Sequence, residues 1–191
     1  MKKEMLMDAL ADKGWFYQDG FFEADFCSEL LAETSKIKWK QAKIGKESLL
    51  QQDSGIRNDS IFWLDDQNPS TLQQSYLKEM SDLMKSMNRE LFLSLKEFEC
   101  HFAKYSSSGF YKKHLDQHVG SKARVISTIL YLNSPASGGE LAIYSKDDPN
   151  KQELKIAPKP GTFVCFLSDQ IYHEVLPTVG ERYSLTGWFR S

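Results

Sequence analysis

The sequence predicts an α+β fold in which helices come first and a string of short strands follows. Three observations carry this reading. Apolar residues recur at helical intervals up to about residue 96, the period drops to two from residue 97, and Gly/Pro turns punctuate the second half. Helices followed by a run of strands imply a sandwich or barrel packed on a helical layer. With no repeat, low-complexity tract or linker in view, 1–191 is expected to form a single domain. Residues 1–96 would be mainly helical support and 97–191 the β-core.

The elements follow in order. Residues 2–12 place Met5, Leu6, Ala9 and Leu10 on one helical face, and residues 24–37 repeat Phe26, Leu30, Leu31 and Ile37 at similar spacing. Gln41–Asn58 is polar, carries Gly45 and Gly55 and has no sustained period. It is expected to be a mobile substrate-docking loop. Asn68-Pro69-Ser70 breaks the chain and offers Ser70 as an N-cap. A long amphipathic segment follows, with Leu72, Tyr76, Met80, Leu83, Met84, Met87, Leu91 and Leu95 as its apolar stripe. From residue 97, Phe98, Cys100 and Phe102 alternate with Glu97, Glu99 and His101, as in a half-buried strand. Further strands are expected over 124–133, 140–144, 154–156, 162–167 and 182–189, separated by turns at Ser137-Gly138-Gly139 and Pro158-Lys159-Pro160-Gly161.

Composition excludes several classes. A net charge of -2 and a pI near 6.1 give no electrostatic reason to expect nucleic acid. Glu4 and Asp8 interrupt the N-terminal apolar residues, so no secretory signal is expected, and no stretch is long enough to span a membrane. A cytoplasmic protein is the default. Cys27, Cys100 and Cys165 are widely spaced among apolar residues and read as buried free thiols in a reducing compartment.

Histidine is scarce, at four residues. His114-Leu115-Asp116 sits just past a probable strand, where residues two apart face one side. His173, at the edge of another strand, can supply a third ligand. Two histidines and one carboxylate on one face leave positions open, as in non-haem iron(II) oxygenases; a closed four-ligand zinc site would not. His118 competes with His114 but lacks a carboxylate two residues on, and reads as a solvent-facing loop residue. His101 reads as surface or sheet packing. Arg182 lies in an otherwise apolar strand, where burial is costly without an anion, and its fork matches a carboxylate. The alternative is an edge-strand arginine in solvent or paired with a protein carboxylate.

Several blocks resemble the prolyl hydroxylase branch of the iron(II)/2-oxoglutarate dioxygenases, bacterial relatives of the hypoxia-inducible-factor hydroxylases above all. They are Ile56-Arg57-Asn58-Asp59-Ser60-Ile61-Phe62-Trp63, Leu91–Leu95, Phe98–Tyr105, Phe110–Asp116, Leu130–Asn133, Gly138–Leu141, Pro177 and Arg182–Arg190. The resemblance implies a double-stranded β-helix (a jelly-roll, cupin-like core) buttressed by N-terminal helices. It implies iron(II) on His114, Asp116 and His173, and 2-oxoglutarate held by Arg182 and Tyr131. Tyr105 would reach the co-substrate from an adjacent strand, with Thr186 and Trp188 lining the pocket beside the iron. For both tyrosines, core packing is the alternative on residue chemistry alone. Arg57 and Trp188 would contact substrate, although a solvated loop arginine fits Arg57 equally well. Asp59 and Arg124 would pair across the loop base. The implied activity is 4-hydroxylation of a prolyl residue in a protein, elongation factor Tu being the substrate associated with the bacterial branch. Dioxygen is consumed, succinate and carbon dioxide are released, and ascorbate serves as reductant. Hydroxylation of a small molecule or another side chain is the alternative, and a non-catalytic sensor binding 2-oxoglutarate or metal is a third reading.

Overall fold

A computed structural model describes residues 2–42, 55–64, 67–117 and 123–191. Three α-helices are present among them: α1 (Lys2–Lys13), α2 (Ala24–Glu33) and α3 (Thr71–Glu90). The strands from the first half are β1 (Trp15–Gln18), β2 (Lys40–Gln41) and β3 (Ser60–Trp63). Those from the second are β4 (Glu97–Tyr105), β5 (Tyr111–His114), β6 (Arg124–Tyr131), β7 (Ser137–Gly138), β8 (Leu141–Tyr144), β9 (Gln152–Ile156), β10 (Phe163–Leu167), β11 (His173–Val175), β12 (Thr178–Val179) and β13 (Arg182–Arg190).

Local chemistry explains the helix limits. The Ser70 hydroxyl accepts the Gln73 amide at 3.1 Å, so the expected cap starts α3. The helix stops at Glu90 and does not reach Leu95. Phe92 takes a positive φ of 54°, and the Asn88 side chain grips Leu95, donating to its carbonyl and accepting from its amide at 2.8 Å each. In α1 it is Met7, with Leu6 and Leu10, that is buried; Met5 turns outward.

The strands form an antiparallel seven-stranded sheet, β1-β10-β6-β13-β4-β3-β2, facing a four-stranded sheet, β5-β11-β8-β9. This is the double-stranded β-helix arrangement, with helices covering the outer face of the larger sheet. Strand alternation then divides the interior in two. Phe98, Cys100 and Phe102 of β4 and Leu185 and Phe189 of β13 meet Leu6, Leu30, Tyr76, Met80 and Met87 from the helices. The opposite faces contribute Ala103, Tyr105, Ile129 and Tyr131 to a second cluster between the sheets, completed by Leu141, Ile143 and Val175. Gly187 is held at its size: a Cβ there would come within 2.5 Å of Phe98 Cζ and 2.8 Å of Cys100 Cβ.

All three cysteines are free and buried, as expected. Burial pushes the Cys27 thiol up to about 11 and Cys100 up to about 12, so neither is a thiolate nucleophile near neutrality. No described helix is long and apolar enough to cross a membrane. Most of the expected docking loop, residues 43–54, and also His118 lie outside the described residues. The flanks of that loop are pinned, however. The Ala42 amide donates to Asp59 O, the Asn58 amide to Phe110 O, and Arg57 forms a bridge with Tyr111.

Candidate active site

The sheet register brings the three candidate metal-ligating residues together. His114 ends β5 and His173 begins β11, and the two are direct antiparallel partners. Asp116 lies in the bend beyond β5 and turns inward, with its Oδ1 3.4 Å from His114 Nε2 and 3.7 Å from His173 Nε2. The candidate ligand atoms of all three lie within 4.8 Å of one another.

Surrounding hydrogen bonds decide which atoms face the shared centre. His114 Nδ1 lies 2.7 Å from Lys112 O and His173 Nδ1 3.0 Å from Ile171 O, so each Nδ1 carries the proton and each Nε2 presents its lone pair. Asp116 Oδ2 accepts from the Ser127 hydroxyl at 2.7 Å and the Trp188 indole N–H at 3.0 Å. That leaves Oδ1 as its free coordinating atom. Burial opposes the Asp116 charge, but His173, His114 and Ser127 outweigh it and hold the carboxyl well below the usual carboxylate range. Burial, reinforced by neighbouring His114, pushes His173 down to about 4, which keeps it a neutral ligand. Two neutral imidazoles and one single-oxygen carboxylate suit a divalent iron with open coordination positions.

A second polar centre surrounds Arg182, which is buried to 1% exposure inside β13. Its Nε donates to Gly139 O at 2.9 Å, and its guanidinium carbon sits 4.9 Å from the Tyr105 ring centre and 4.8 Å from that of Tyr131. No carboxylate pairs with it among the described residues. Gly139 adopts φ +72°, and a Cβ there would meet Arg182 Cδ at 3.0 Å. The Tyr131 hydroxyl is buried without a hydrogen-bond partner. Burial raises the pKa of Tyr105 and of Tyr131, so both phenols keep their protons and can donate. A buried cation beside an unpartnered phenol suits the distal carboxylate of a dicarboxylic co-substrate such as 2-oxoglutarate.

One cavity of about 740 Å³ joins both centres. Thr186 and Trp188 both line it, Trp188 beside the Asp116 carboxylate. Arg57 also lines it, but its Nε donates to Asp59 Oδ1 at 2.7 Å and its guanidinium stacks on Tyr111 at 4.3 Å. The expected Asp59–Arg124 pair is not formed. Arg124 donates to Glu99 at 3.1 Å and covers the Trp188 ring at 3.6 Å. The sheet order explains this: β13 and β4 lie between β6, which carries Arg124, and β3, which Asp59 precedes. Arg57, two residues away, reaches Asp59 first.

His101 takes the sheet-packing alternative, on a face whose burial the alternation did not reveal. It is 4% exposed, faces the cavity between Trp63 and Trp188, and is pushed down to about 4 by burial. Sequence reasoning also missed Ser127, and Tyr111, which stacks on His114 at 3.5 Å.

Fold and site together define a class: iron(II)- and 2-oxoglutarate-dependent oxygenases. Comparison with known proteins agrees. The model of the 2OG-Fe(II) oxygenase superfamily matches residues 100–190. A crystal structure of a Pseudomonas putida prolyl-4-hydroxylase is 36% identical, with all of both chains covered and a TM-score of 0.89. A Trichoplax adhaerens prolyl hydroxylase, solved with a peptide fragment of the hypoxia-inducible-factor oxygen degradation domain, is 23% identical. It covers 99% of this chain and 89% of its own, with a TM-score of 0.83. A viral collagen prolyl hydroxylase from Paramecium bursaria Chlorella virus-1, in complex with 2-oxoglutarate, shares the fold at 20% identity and a TM-score of 0.68, covering 95% of this chain and 97% of its own. A search of curated proteins gives no significant match. The chain belongs to the 2OG-Fe(II) oxygenase superfamily and is a dioxygenase of the prolyl hydroxylase type.

Proposed function

We propose that this chain, working as a single catalytic domain, hydroxylates C4 of a prolyl residue in a protein substrate. The observation that carries the reading is the cavity, which continues past the metal-ligating residues along the larger sheet to Lys38 and Lys40. A five-carbon diacid needs only the Arg182 end; the remainder is a place for a longer chain. Full-length similarity to a prolyl-4-hydroxylase supports the same class.

When bound, iron(II) and 2-oxoglutarate supply the oxidising chemistry, in which dioxygen is consumed, succinate and carbon dioxide leave and one oxygen atom enters the substrate C–H bond. The chain's own residues bind and orient. His114 Nε2, His173 Nε2 and Asp116 Oδ1 would hold the metal. Ser127 and Trp188 fix the Asp116 carboxylate so that only one oxygen ligates. Arg182 and Tyr131 take the distal carboxylate of 2-oxoglutarate, with Tyr105 beside them. Ile129, Leu141 and Val175 exclude water from that end. Thr186 and Trp188 form the wall against which the target ring is placed, and Arg57 bounds it opposite. Ascorbate serves as the external reductant.

The test is intact-mass and peptide mapping of candidate proteins after incubation with iron(II), 2-oxoglutarate and ascorbate. Elongation factor Tu is the first candidate, on the resemblance of this chain to the bacterial branch. A single added oxygen on a proline, absent in the Asp116→Ala enzyme, is expected. Succinate release stimulated by small molecules but by no protein or proline peptide would overturn the reading.

A further inference from the structure

The register of the larger sheet lays cavity-facing residues out in rows that cross its strands. Thr186 of β13 is opposite His101 of β4, which is opposite Trp63 of β3. In the neighbouring row Ser184 is opposite Ala103, then Ile61, then Lys40 of β2. Lys38, two residues before Lys40, lies on the same side by alternation, while Trp39 points to the other face and packs on Tyr183. Both lysines line the cavity mouth and are exposed.

The charges at this mouth differ in what they are doing. Arg57 is bound to Asp59, and Arg124 to Glu99, which also meets Arg190. Lys38 and Lys40 form no salt bridge among the described residues. Between them and the metal-ligating residues the wall carries no unpaired charge among the described residues: Arg57 and Arg124 are paired as above, Trp63 is 45% exposed, and His101, depressed to about 4, is neutral. Among the described residues, two cations without a salt bridge therefore stand at one end of a track whose other charges are paired, in a chain whose net charge is -2.

Resting on the prolyl-peptide reading above, we infer that the substrate is an extended segment carrying an acidic side chain about four to six residues from its target proline, received by Lys38 and Lys40. The spacing comes from geometry. From β13 to β2 is three strand intervals, about 14 Å at roughly 4.8 Å each. An extended peptide crosses that distance in about four residues at roughly 3.3 Å per residue, and the reach of the lysine side chains extends the range. Trp63, half-exposed midway, offers the intervening residues an aromatic surface.

The experiment uses two series of synthetic peptides centred on one proline. A single Glu, or Gln in the control series, is moved from two to eight residues away on either side, and turnover is read by mass spectrometry. A lower KM for Glu over Gln is expected at about four to six residues on one side only. Exposed ion pairs of this kind together give about three- to twenty-fold, fading with added salt. Lys38→Glu/Lys40→Glu should invert the preference, so that Lys at that peptide position is favoured over Glu. Both lysines are exposed, and an unchanged melting temperature confirms that the double variant folds. Equal KM for Glu and Gln at every position, or a preference that survives in the double variant, overturns the acidic-track inference while leaving prolyl hydroxylation standing. Absence of hydroxylation in every peptide overturns the prolyl reading itself.

Discussion

Trp188→Phe is the most informative single change, because it keeps an aromatic ring against Arg124 and removes one N–H from Asp116 Oδ2. That contact is a 3.0 Å hydrogen bond to an ionised, buried carboxylate, a class worth about 1.5–3 kcal/mol. The Ser127 hydroxyl stays on the same oxygen at 2.7 Å, so the carboxylate keeps one of its two supports and the lower figure applies. About 1.5 kcal/mol corresponds to roughly 10-fold weaker iron(II) binding, within the range for residues that orient a ligand. Ser127→Ala should cost a similar amount, and it also strands the Ser168 hydroxyl, now 2.8 Å from Ser127. With both supports gone the carboxylate is free to rotate and offer both oxygens, so the double variant should lose at least 100-fold, roughly the product of the single losses. The assay is anaerobic iron(II) titration with 2-oxoglutarate present, followed by the visible charge-transfer band. Wild-type iron affinity in a folded Ser127→Ala/Trp188→Phe protein would refute the claim that these groups set the ligand geometry.

Three further outcomes are expected. Arg182→Ala should raise the 2-oxoglutarate requirement about 10- to 100-fold and Arg182→Lys should recover only part of it, since an ammonium cannot make the two-pronged contact; titration of initial rate against 2-oxoglutarate checks both. His114→Ala, Asp116→Ala and His173→Ala should each abolish turnover and weaken iron binding while the protein still melts cooperatively, which calorimetry beside the iron titration will show. His101 is pushed down from 6.5 to about 4 in the fold, so the unfolded chain takes up its proton first as pH falls. Stability is therefore lost between about pH 6.5 and 4, and urea unfolding at pH 7 and pH 5 should show wild type losing about 2 kcal/mol more than His101→Leu.

The parts of the site that the sequence made legible were those where chemistry is rare. With only four histidines in the chain, a His-x-Asp and one further histidine narrow quickly to a ligand set, and an arginine among apolar residues announces a buried anion. Geometry that depends on strand order was not legible. Nothing local says that β13 and β6 lie side by side, so Ser127 and Trp188 could not be placed on one carboxylate oxygen, and Arg124 could not be denied to Asp59. Strands β1 and β3 have four residues each and β2 has two, too short to show a period beside the helices around them. His101 teaches a different lesson. Alternation placed it correctly on the face opposite Cys100, but it cannot say whether that face meets water or a second sheet.

Strand β13 serves two masters on its two sides. Arg182, Ser184, Thr186 and Trp188 face the chemistry, while Leu185, Gly187 and Phe189 close the helix-backed core. A single-residue deletion within it would put the two ends of the strand out of phase, turning either the guanidinium toward the helices or the phenylalanine toward the cavity. Such a strand can change its repertoire only by replacement in place. Length variation is confined to its flanks, and among the cavity-facing positions Thr186 is free to change with the substrate, whereas Trp188 is tied to Asp116 and Leu185, Gly187 and Phe189 keep the protein folded.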